Sequence, residues 1–366
     1  MSEKIEQKRL LSLDVFRGIT IAGMILVNNP GDWGAIYSPF EHAEWNGWTP
    51  TDLIFPFFLF IVGIVIPLAL GKRVESGGVT RDVYLKIFRR SAVIFLLGLL
   101  LNALPFFDFV HLRIPGVLQR IAVCYLIASL IFLRAGWKQI VFISAFLLIL
   151  YWILMTVIPV PGCAVTSVSD KACNLSAYID RQILGVNHIW SLGKVYDPEG
   201  ILSTLPAIVT ALAGVLAGFW LKTKRDNLEK VGGVFFFGVV LTALGWMWNF
   251  FFPINKALWT SSYVVFTAGM ALCFFGFCYW LIDIKNYQRW SKPFVIFGVN
   301  ALALYVLAET ASKLMDILSI KEWIFQTIFA PLGSPKNASL MFAVSYIFFW
   351  LFIMWLLYRK RIFIKV

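Results

Sequence analysis

Ten apolar runs, each close to the length needed to cross a bilayer, dominate this sequence. The hydrocarbon core of a bilayer is about 30 Å thick and takes roughly 20 helical residues, and a helix satisfies its own backbone groups in lipid. The runs lie near 11–29, 53–70, 90–104, 116–133, 139–158, 201–221, 231–252, 259–282, 294–311 and 339–357. The sequence therefore predicts an all-α polytopic membrane protein of about ten transmembrane helices, with residues 1–366 forming one integral membrane domain.

The composition excludes an ordinary soluble domain. Of the 366 residues, 60% are hydrophobic and only 14% are charged, whereas soluble domains have about 25% charged residues. The formal net charge of +12 comes from short basic clusters between the apolar runs. That pattern fits membrane topology and not a continuous phosphate-binding surface. We therefore expect a lipid bilayer, and no nucleic acid, among the partners.

The placement of Lys and Arg predicts the orientation. If the segment with Lys4, Lys8 and Arg9 is cytoplasmic, most basic residues fall on cytoplasmic segments, as the positive-inside rule requires. Both termini are then cytoplasmic, and the segments 30–50 and 159–199 are outer loops.

The stretch 312–330 is apolar enough to be an eleventh span or an interfacial helix. An eleventh span would move the basic C-terminus to the outer side, against the positive-inside rule. Ten spans are therefore the preferred count, and the choice for 312–330 stays open.

Two cysteines, Cys163 and Cys173, lie in the outer loop 159–199. On the outer side, in an oxidising compartment, a disulfide that closes this short loop is expected; the alternative is two unrelated thiols. No Cys and His spacing typical of a metal site occurs in the sequence, so we expect no metal.

The segment from Asn28 to Phe60 holds the densest set of groups able to carry protons, and it contains no Lys or Arg. Long loops of this kind are often functional. If the segment around His42 is helical, His42 and Asn46 share one face. Asp52 could fold back onto the imidazole, fix its tautomer and leave it to act as a general base. The alternative is a solvated histidine, with Asp52 serving as a helix N-terminal acid.

Other polar groups lie in or beside the apolar runs. Near the start of the first run, Asp14 and Arg17 are i,i+3 neighbours and could form an interfacial ion pair in which Arg17 snorkels. Asn28, at the other end of that run, could cap the helix or hold a substrate carbonyl. Asn300, in the ninth run, could bind substrate or link helices.

Two short motifs supply the remaining candidates. Gln119 and Arg120 lie about one turn inside the fourth run, and Arg120 is either an anion site or the partner of a buried carboxylate. In the motif YDPEG (196–200), Asp197 is expected to be a helix N-cap. Glu199 is then free to face a site.

Five segments together resemble the heparan-alpha-glucosaminide N-acetyltransferase family of membrane enzymes. They are LDVFRG, FEHAEWNGWTPTDLIFPFFLFIVG, LRIPGVLQR, YDPEGILSTLPAI and FGVNALALYV, in the family's order. The resemblance implies transfer of acetyl from cytosolic acetyl-CoA, the co-substrate, to the amine of a glucosamine-type sugar on the other side of the membrane. It also implies that His42 is the active-site histidine, Asp52 its nearby acid and Asn28 a residue lining the acetyl-CoA site.

The departures from the family concern the acceptor more than the chemistry. By this resemblance we expect a compact member without the long N-terminal luminal domain of the animal enzyme, and NPGDWGAIYSPFE stands in place of a different aromatic-rich loop. A compact form of this kind is expected in a bacterial inner membrane, with the acceptor in the periplasm. The oligomeric state is open, and a homo-oligomer is one option.

The resemblance leaves two mechanisms and two rival functions. His42 could deprotonate the acceptor amine in a single complex, or it could itself carry the acetyl group in a ping-pong reaction. Basic residues of the cytoplasmic side, such as Arg17, Arg89 or Arg90, could hold CoA phosphates. The rivals are O-acetylation of a cell-envelope glycan and solute transport, and the absence of an internal repeat disfavours transport.

Overall fold

The computed structural model describes residues 10–364, which form helices and irregular segments and no strands. The basic residues Lys4, Lys8, Arg9 and Lys365, which enter the predicted orientation, lie outside the described residues. The helices are α1 (Leu11–Asn28), α2 (Ile54–Glu75), α3 (Arg81–Ala103), α4 (Val117–Arg134), α5 (Trp137–Val157), α6 (Leu175–Ile183), α7 (Thr204–Leu221), α8 (Asn227–Trp248), α9 (Ser261–Cys278), α10 (Lys292–Val299), α11 (Ala301–Ile317), α12 (Ile320–Ile324) and α13 (Pro335–Arg359).

The prediction of an all-α polytopic membrane protein is confirmed. Within the described part of the chain, eight helices are long and apolar enough to cross a membrane, and the bent pair of α10 and α11 makes up to nine. The predicted run 90–104 lies in α3, which is not among them because its first half carries residues such as Lys86 and Arg89. At 1.5 Å per residue the 23 residues of α3 still extend roughly 35 Å.

The ninth predicted run is not one straight helix. The axes of α10 and α11 meet at an angle of 73° around Asn300. The side chain of Asn300 donates to the carbonyl of Ile362 at 3.1 Å and accepts from the amide of Ile364 at 2.9 Å. The chain after α13 therefore runs beside the break and satisfies both polar atoms of the Asn300 side chain.

The stretch 312–330 is broken rather than one continuous helix. The helix α11 ends at Ile317, Ser319 adopts the left-handed conformation, and α12 continues as π and 3₁₀ turns to Leu332. A membrane-interface position for this stretch stays a prediction.

Glycines bring the backbones of α2 and α7 into direct contact at the centre of the bundle. A Cβ atom on Gly63 would lie 1.9 Å from the carbonyl oxygen of Ala211, and one on Gly214 would lie 2.0 Å from that of Phe60. Small residues of this kind allow helices to pack closely in lipid, where the hydrophobic effect between helices is absent. The contact fixes the positions of the chain segments that enter α2 and α7.

The predicted structured loop between the first two spans is confirmed. It contains two 3₁₀ turns, Ser38–Phe40 and Pro50–Leu53, and it is hydrogen-bonded to three other parts of the chain. The amide of Gly31 donates to Ser339, that of Gly47 to Ile254, and the indole of Trp45 to Val168. The loop is therefore part of the folded bundle.

The loop between α5 and α7 contains the short helix α6 and one disulfide. Cys163 and Cys173 are bonded, with their Cα atoms 5.8 Å apart. This is the pairing that the sequence predicts. The other three cysteines of the chain are free.

The close contact between α2 and α7 predicts a large effect for one added methyl group. We expect Gly214→Ala to lower the free energy of unfolding by about 1–3 kcal/mol, because the new Cβ would meet backbone atoms of α2 that cannot rotate away. Thermal unfolding of the purified protein in detergent measures the change.

The matched control is Gly232→Ala in α8, where an added Cβ meets nothing within 4 Å. This variant is expected to be neutral or slightly stabilising, since alanine favours a helix over glycine. Equal melting temperatures for the two variants would contradict the close contact.

Candidate active site

Asp52 is held by the turn that begins the second span. Thr49 and Asp52 form a capping box around Pro50, a local arrangement that the sequence Thr-Pro-Thr-Asp favours. One carboxylate oxygen of Asp52 accepts from the amide of Ala43 at 3.0 Å and from the amide of Thr49 at 2.9 Å. The side chain is only 1% exposed. Asp52 is thus the N-terminal acid that one interpretation of the sequence expected.

The same carboxylate also contacts His42, so the two interpretations of Asp52 are compatible. Nδ1 of His42 lies 2.6 Å from Oδ1 of Asp52, while the side chain of His42 is 50% exposed. A carboxylate accepts from Nδ1–H, which leaves Nε2 as a proton acceptor. The pair therefore presents a basic nitrogen to solvent on an oriented ring.

Asn46 does not share a helix face with His42. Residues 41–49 have no helical conformation. The amide of Asn46 donates to Ser169 at 3.1 Å, and its oxygen accepts from Asn255, also at 3.1 Å. Asn46 therefore ties the loop that carries His42 to two other loops.

Lys256 is the member of this cluster that the sequence analysis missed. Its Nζ lies 3.1 Å from both ring nitrogens of His42 and 3.8 Å from Oδ1 of Asp52. Burial lowers the pKa of Lys256, and the charges of Asp52 and Glu199 oppose that shift. The one signal in the sequence is that Lys256 is the single charged residue in the connection 249–260.

Glu199 is paired with Arg113, so it is not the unpartnered acid that the sequence suggested. The guanidinium of Arg113 donates to both carboxylate oxygens of Asp197, at 2.9 and 2.6 Å, and also to Glu199. The two carboxylates raise the pKa of Arg113. Asp197 accepts from the amide of Glu199 and does not cap α7, which begins at Thr204.

The hydrogen bonds of Arg120 go to the chain around Pro198–Ser203 and not to a carboxylate, while its charge lowers the pKa of the buried acid Asp180 against the larger rise that burial causes. Arg120 is 2% exposed. Its guanidinium donates to the carbonyls of Pro198, at 2.9 Å, and Gly200, at 3.1 Å, and to the hydroxyl of Ser203. It also lies over the ring of Trp259, 5.0 Å from the centroid. Arg120 therefore holds the turn that leads into α7, and carbonyl oxygens take the place of a carboxylate partner.

Asn28 and Gln119 both lie in contacts between helices; Gln119 is buried and Asn28 is partly buried. Asn28 donates to Glu309 at 3.0 Å instead of capping α1. Gln119 is 4% exposed and packs against Gly98 of α3, and its Nε2 has no hydrogen-bond partner among residues 10–364.

Three candidates, Asp14, Arg17 and Asn300, lie at the other end of the bundle from His42. We call the two ends the His42 end, where α1 ends and α2 begins, and the Asp14 end. Arg17 lies 3.5 Å from Asp14 and donates to Gly298 at 3.2 Å, close to the break at Asn300. Asn28 follows Asp14 by fourteen positions in α1, which is about 21 Å at 1.5 Å per residue. The predicted site residues therefore form two separate groups.

Asp180, on α6, is a buried acid that the sequence analysis did not single out. It is fully buried, and Oδ1 accepts from the amide of Ile201 at 2.8 Å. Oδ2 has no hydrogen-bond partner within the described chain and lies against Gly200, where an added Cβ would be 2.0 Å away. Burial raises the pKa of Asp180 to about 7, and the nearby charge of Asp197 adds to this shift.

Comparison with known proteins gives one family. The family model described as "Heparan-alpha-glucosaminide N-acetyltransferase, catalytic" matches residues 9–224, which include His42, Asp52 and Arg120. Proteins named heparan-alpha-glucosaminide N-acetyltransferase from Homo sapiens and Mus musculus are 30% and 29% identical to this chain over 98% of its length. The chain spans 60% of the length of each of these relatives.

Because Asp52 is buried and hydrogen-bonded, its replacement by alanine is expected to destabilise the protein. We expect Asp52→Ala to lower the free energy of unfolding by about 2 kcal/mol or more, because the amides of Ala43 and Thr49 lose their acceptor. Asp108→Ala is the control: Asp108 contacts His111 at 2.7 Å but is 54% exposed. That change is expected to stay within about 0.5 kcal/mol. Thermal unfolding compares the two, and equal losses would contradict the structural role of Asp52.

Asp180 predicts a pH dependence of stability. Its pKa of about 7 in the folded protein lies above the ordinary value of 3.8, so the folded state binds the proton more tightly than the unfolded chain. Stability should therefore fall as the pH rises between these two values. We expect the melting temperature to drop less from pH 5 to pH 8 in Asp180→Asn than in the unmodified protein.

The control for this measurement is Asp170→Asn in the same loop. Hydrogen bonds from the amides of Cys173 and Ala172 lower the pKa of Asp170, so this variant should keep the drop in melting temperature. An Asp180→Asn variant with an unchanged pH dependence would show that Asp180 does not titrate in this range.

Proposed function

Because the chain belongs to the heparan-alpha-glucosaminide N-acetyltransferase family, we propose that it is an acetyltransferase that moves acetyl from acetyl-CoA to the amine of a glucosamine-type sugar. The observation that carries the proposal is the pair of His42 and Asp52, with Nδ1 and Oδ1 2.6 Å apart and the imidazole half-exposed. An imidazole that is oriented through Nδ1 and can accept a proton at Nε2 is the group that deprotonation of an amine requires.

The proposed reaction takes place in one complex. Nε2 of His42 accepts a proton from the acceptor amine, whose nitrogen attacks the thioester carbon. The C–N bond forms, the C–S bond breaks, and the CoA thiolate leaves and takes the proton from the imidazolium. Asp52 orients the ring and stabilises its charged form. Asn28 and Asn46, considered as binding groups or oxyanion donors, donate elsewhere when no substrate is bound.

We place the Asp14 end in the cytoplasm and the His42 end in the periplasm of a bacterial inner membrane. The distribution of Lys and Arg supports this orientation. Acetyl-CoA would approach from the Asp14 end, where Arg17, Arg89 and Arg90 lie, and its pantetheine arm would extend through the bundle toward His42. Only the acetyl group then has to reach the acceptor side.

The exposure of His42 favours direct attack over a ping-pong mechanism. An acetylated imidazole is reactive toward water, and a ring that is 50% exposed offers it little protection. O-acetylation of a glycan hydroxyl would use the same base, and acceptor assays with a hydroxyl and an amine on the same sugar separate the two.

The proposal predicts that acetyl transfer depends on His42. We expect His42→Ala to reduce transfer of labelled acetyl from acetyl-CoA to glucosamine by at least about 100-fold, because general base catalysis contributes about 10²–10⁴-fold. Detergent-purified protein is assayed with labelled acetyl-CoA, and thermal unfolding checks that the variant is folded.

The matched control is His111→Ala. His111 is also paired with an aspartate, Asp108, at 2.7 Å, but lies in an exposed loop. This variant should keep its activity within about twofold. Full activity in a folded His42→Ala protein would reject the proposed site. Label retained on the protein in the absence of acceptor would favour the ping-pong mechanism.

A further inference from the structure

The amino group of Lys256 lies over the face of the His42 imidazole. Nζ is 3.1 Å from Nδ1 and 3.1 Å from Nε2. An atom in the plane of the ring cannot be this close to both nitrogens without colliding with ring carbons, so Nζ lies above the plane. The in-plane direction of Nδ1 is taken by Asp52 at 2.6 Å. The in-plane direction of Nε2 is left for a substrate.

The position of Lys256 is fixed by the connection between α8 and α9. The amide of Gly47, in the loop that carries His42, donates to Ile254 at 2.7 Å. Asn255 donates to Asn46 at 3.1 Å. Both bonded residues directly precede Lys256 in sequence and join its loop to that of His42, and the side chain of Lys256 is only 21% exposed. The contact with the imidazole is thus part of the fold and not a chance arrangement of a mobile lysine.

The charges of Asp52 and Lys256 act on His42 in opposite directions. A buried carboxylate beside an imidazole favours the protonated ring, which cannot serve as a base. An ammonium group over the same ring disfavours the added proton. The other groups that act on Lys256 are Glu199, from the turn before α7, and Arg120, from α4. Tyr263 of α9 donates to the main-chain oxygen of Asp52 at 2.5 Å and completes the surroundings.

We propose that Lys256 is a positioning residue whose charge, placed over the imidazole, opposes that of Asp52 and disfavours protonation of His42, so that Nε2 can accept a proton from the acceptor amine. This inference rests on the proposed function for the identity of the acceptor. The effect of Lys256 on the charge of His42 does not depend on any substrate. The charge of Lys256 offsets the preference for a protonated ring that Asp52 creates. Asp52 still orients the ring of His42.

The test is a titration of the histidines by NMR in Lys256→Met, Lys256→Arg and the unmodified protein. We expect the NMR titration curve of His42 to move to higher pH in Lys256→Met than in the unmodified protein, as removal of a nearby like charge requires. Lys256→Arg retains the charge and should leave the titration near that of the unmodified protein. His111 and His188 serve as internal references, and thermal unfolding checks that each variant is folded.

The pH profile of acetyl transfer gives a second readout. The acid limb of kcat/KM should move to higher pH in Lys256→Met and stay in place in Lys256→Arg. Lys194→Met is the control, since Lys194 is exposed in the outer loop and has no contact with His42. An unchanged titration of His42 in folded Lys256→Met would overturn the proposal. A shifted titration in a protein that transfers no acetyl would support the effect of Lys256 and reject the proposed function.

Discussion

The burial of the Asp52 carboxylate is the constraint on which the arrangement of the candidate site depends. A charged group buried in a protein is stable only when hydrogen bonds and opposite charge compensate for the loss of water. Asp52 obtains this compensation from two backbone amides, one hydroxyl and the imidazole of His42, all within the segment 42–52. The segment must fold around the carboxylate to supply these donors. Its irregular path, and with it the position of the ring, follows from that requirement.

The same residue connects the loop to the helices. The main-chain oxygen of Asp52 accepts from Tyr263 of α9, and its turn leads into α2, which packs on α7 through Gly63 and Gly214. The segment before α7 is held by Arg120, which lies over Trp259 at the start of α9. A rigid set of helix ends therefore positions the groups around His42. Precise placement of this kind is easier on helix ends than on a free loop.

Local features of the sequence predicted most of the helices, and they raised the pair of His42 and Asp52 and the disulfide each as one of two alternatives. Apolar length determines a span, and His42 and Asp52 are only ten residues apart. Partners that are distant in sequence were missed. Lys256 is 214 residues from His42, and Glu309 is 281 residues from Asn28. Such contacts depend on which helix ends meet in the bundle, and no periodicity or short motif specifies that. The bend at Asn300 was missed for the same reason, because its polar partners come from the chain after α13.

The contrast between the exposed ring of His42 and the buried acid behind it bears on how the acetyl group would travel. The acid has to be shielded from water to hold the ring strongly, and the ring has to be open to meet an acceptor from outside. A site with this opening cannot protect a reactive acetyl-imidazole by itself. If the thioester stays within the bundle until the acceptor covers His42, water is excluded by the substrate at the moment of transfer. Under the proposed function, the charged groups of CoA would remain at the Asp14 end while the acyl group would react at the His42 end; Asp14 and Asn28 are about 21 Å apart along α1.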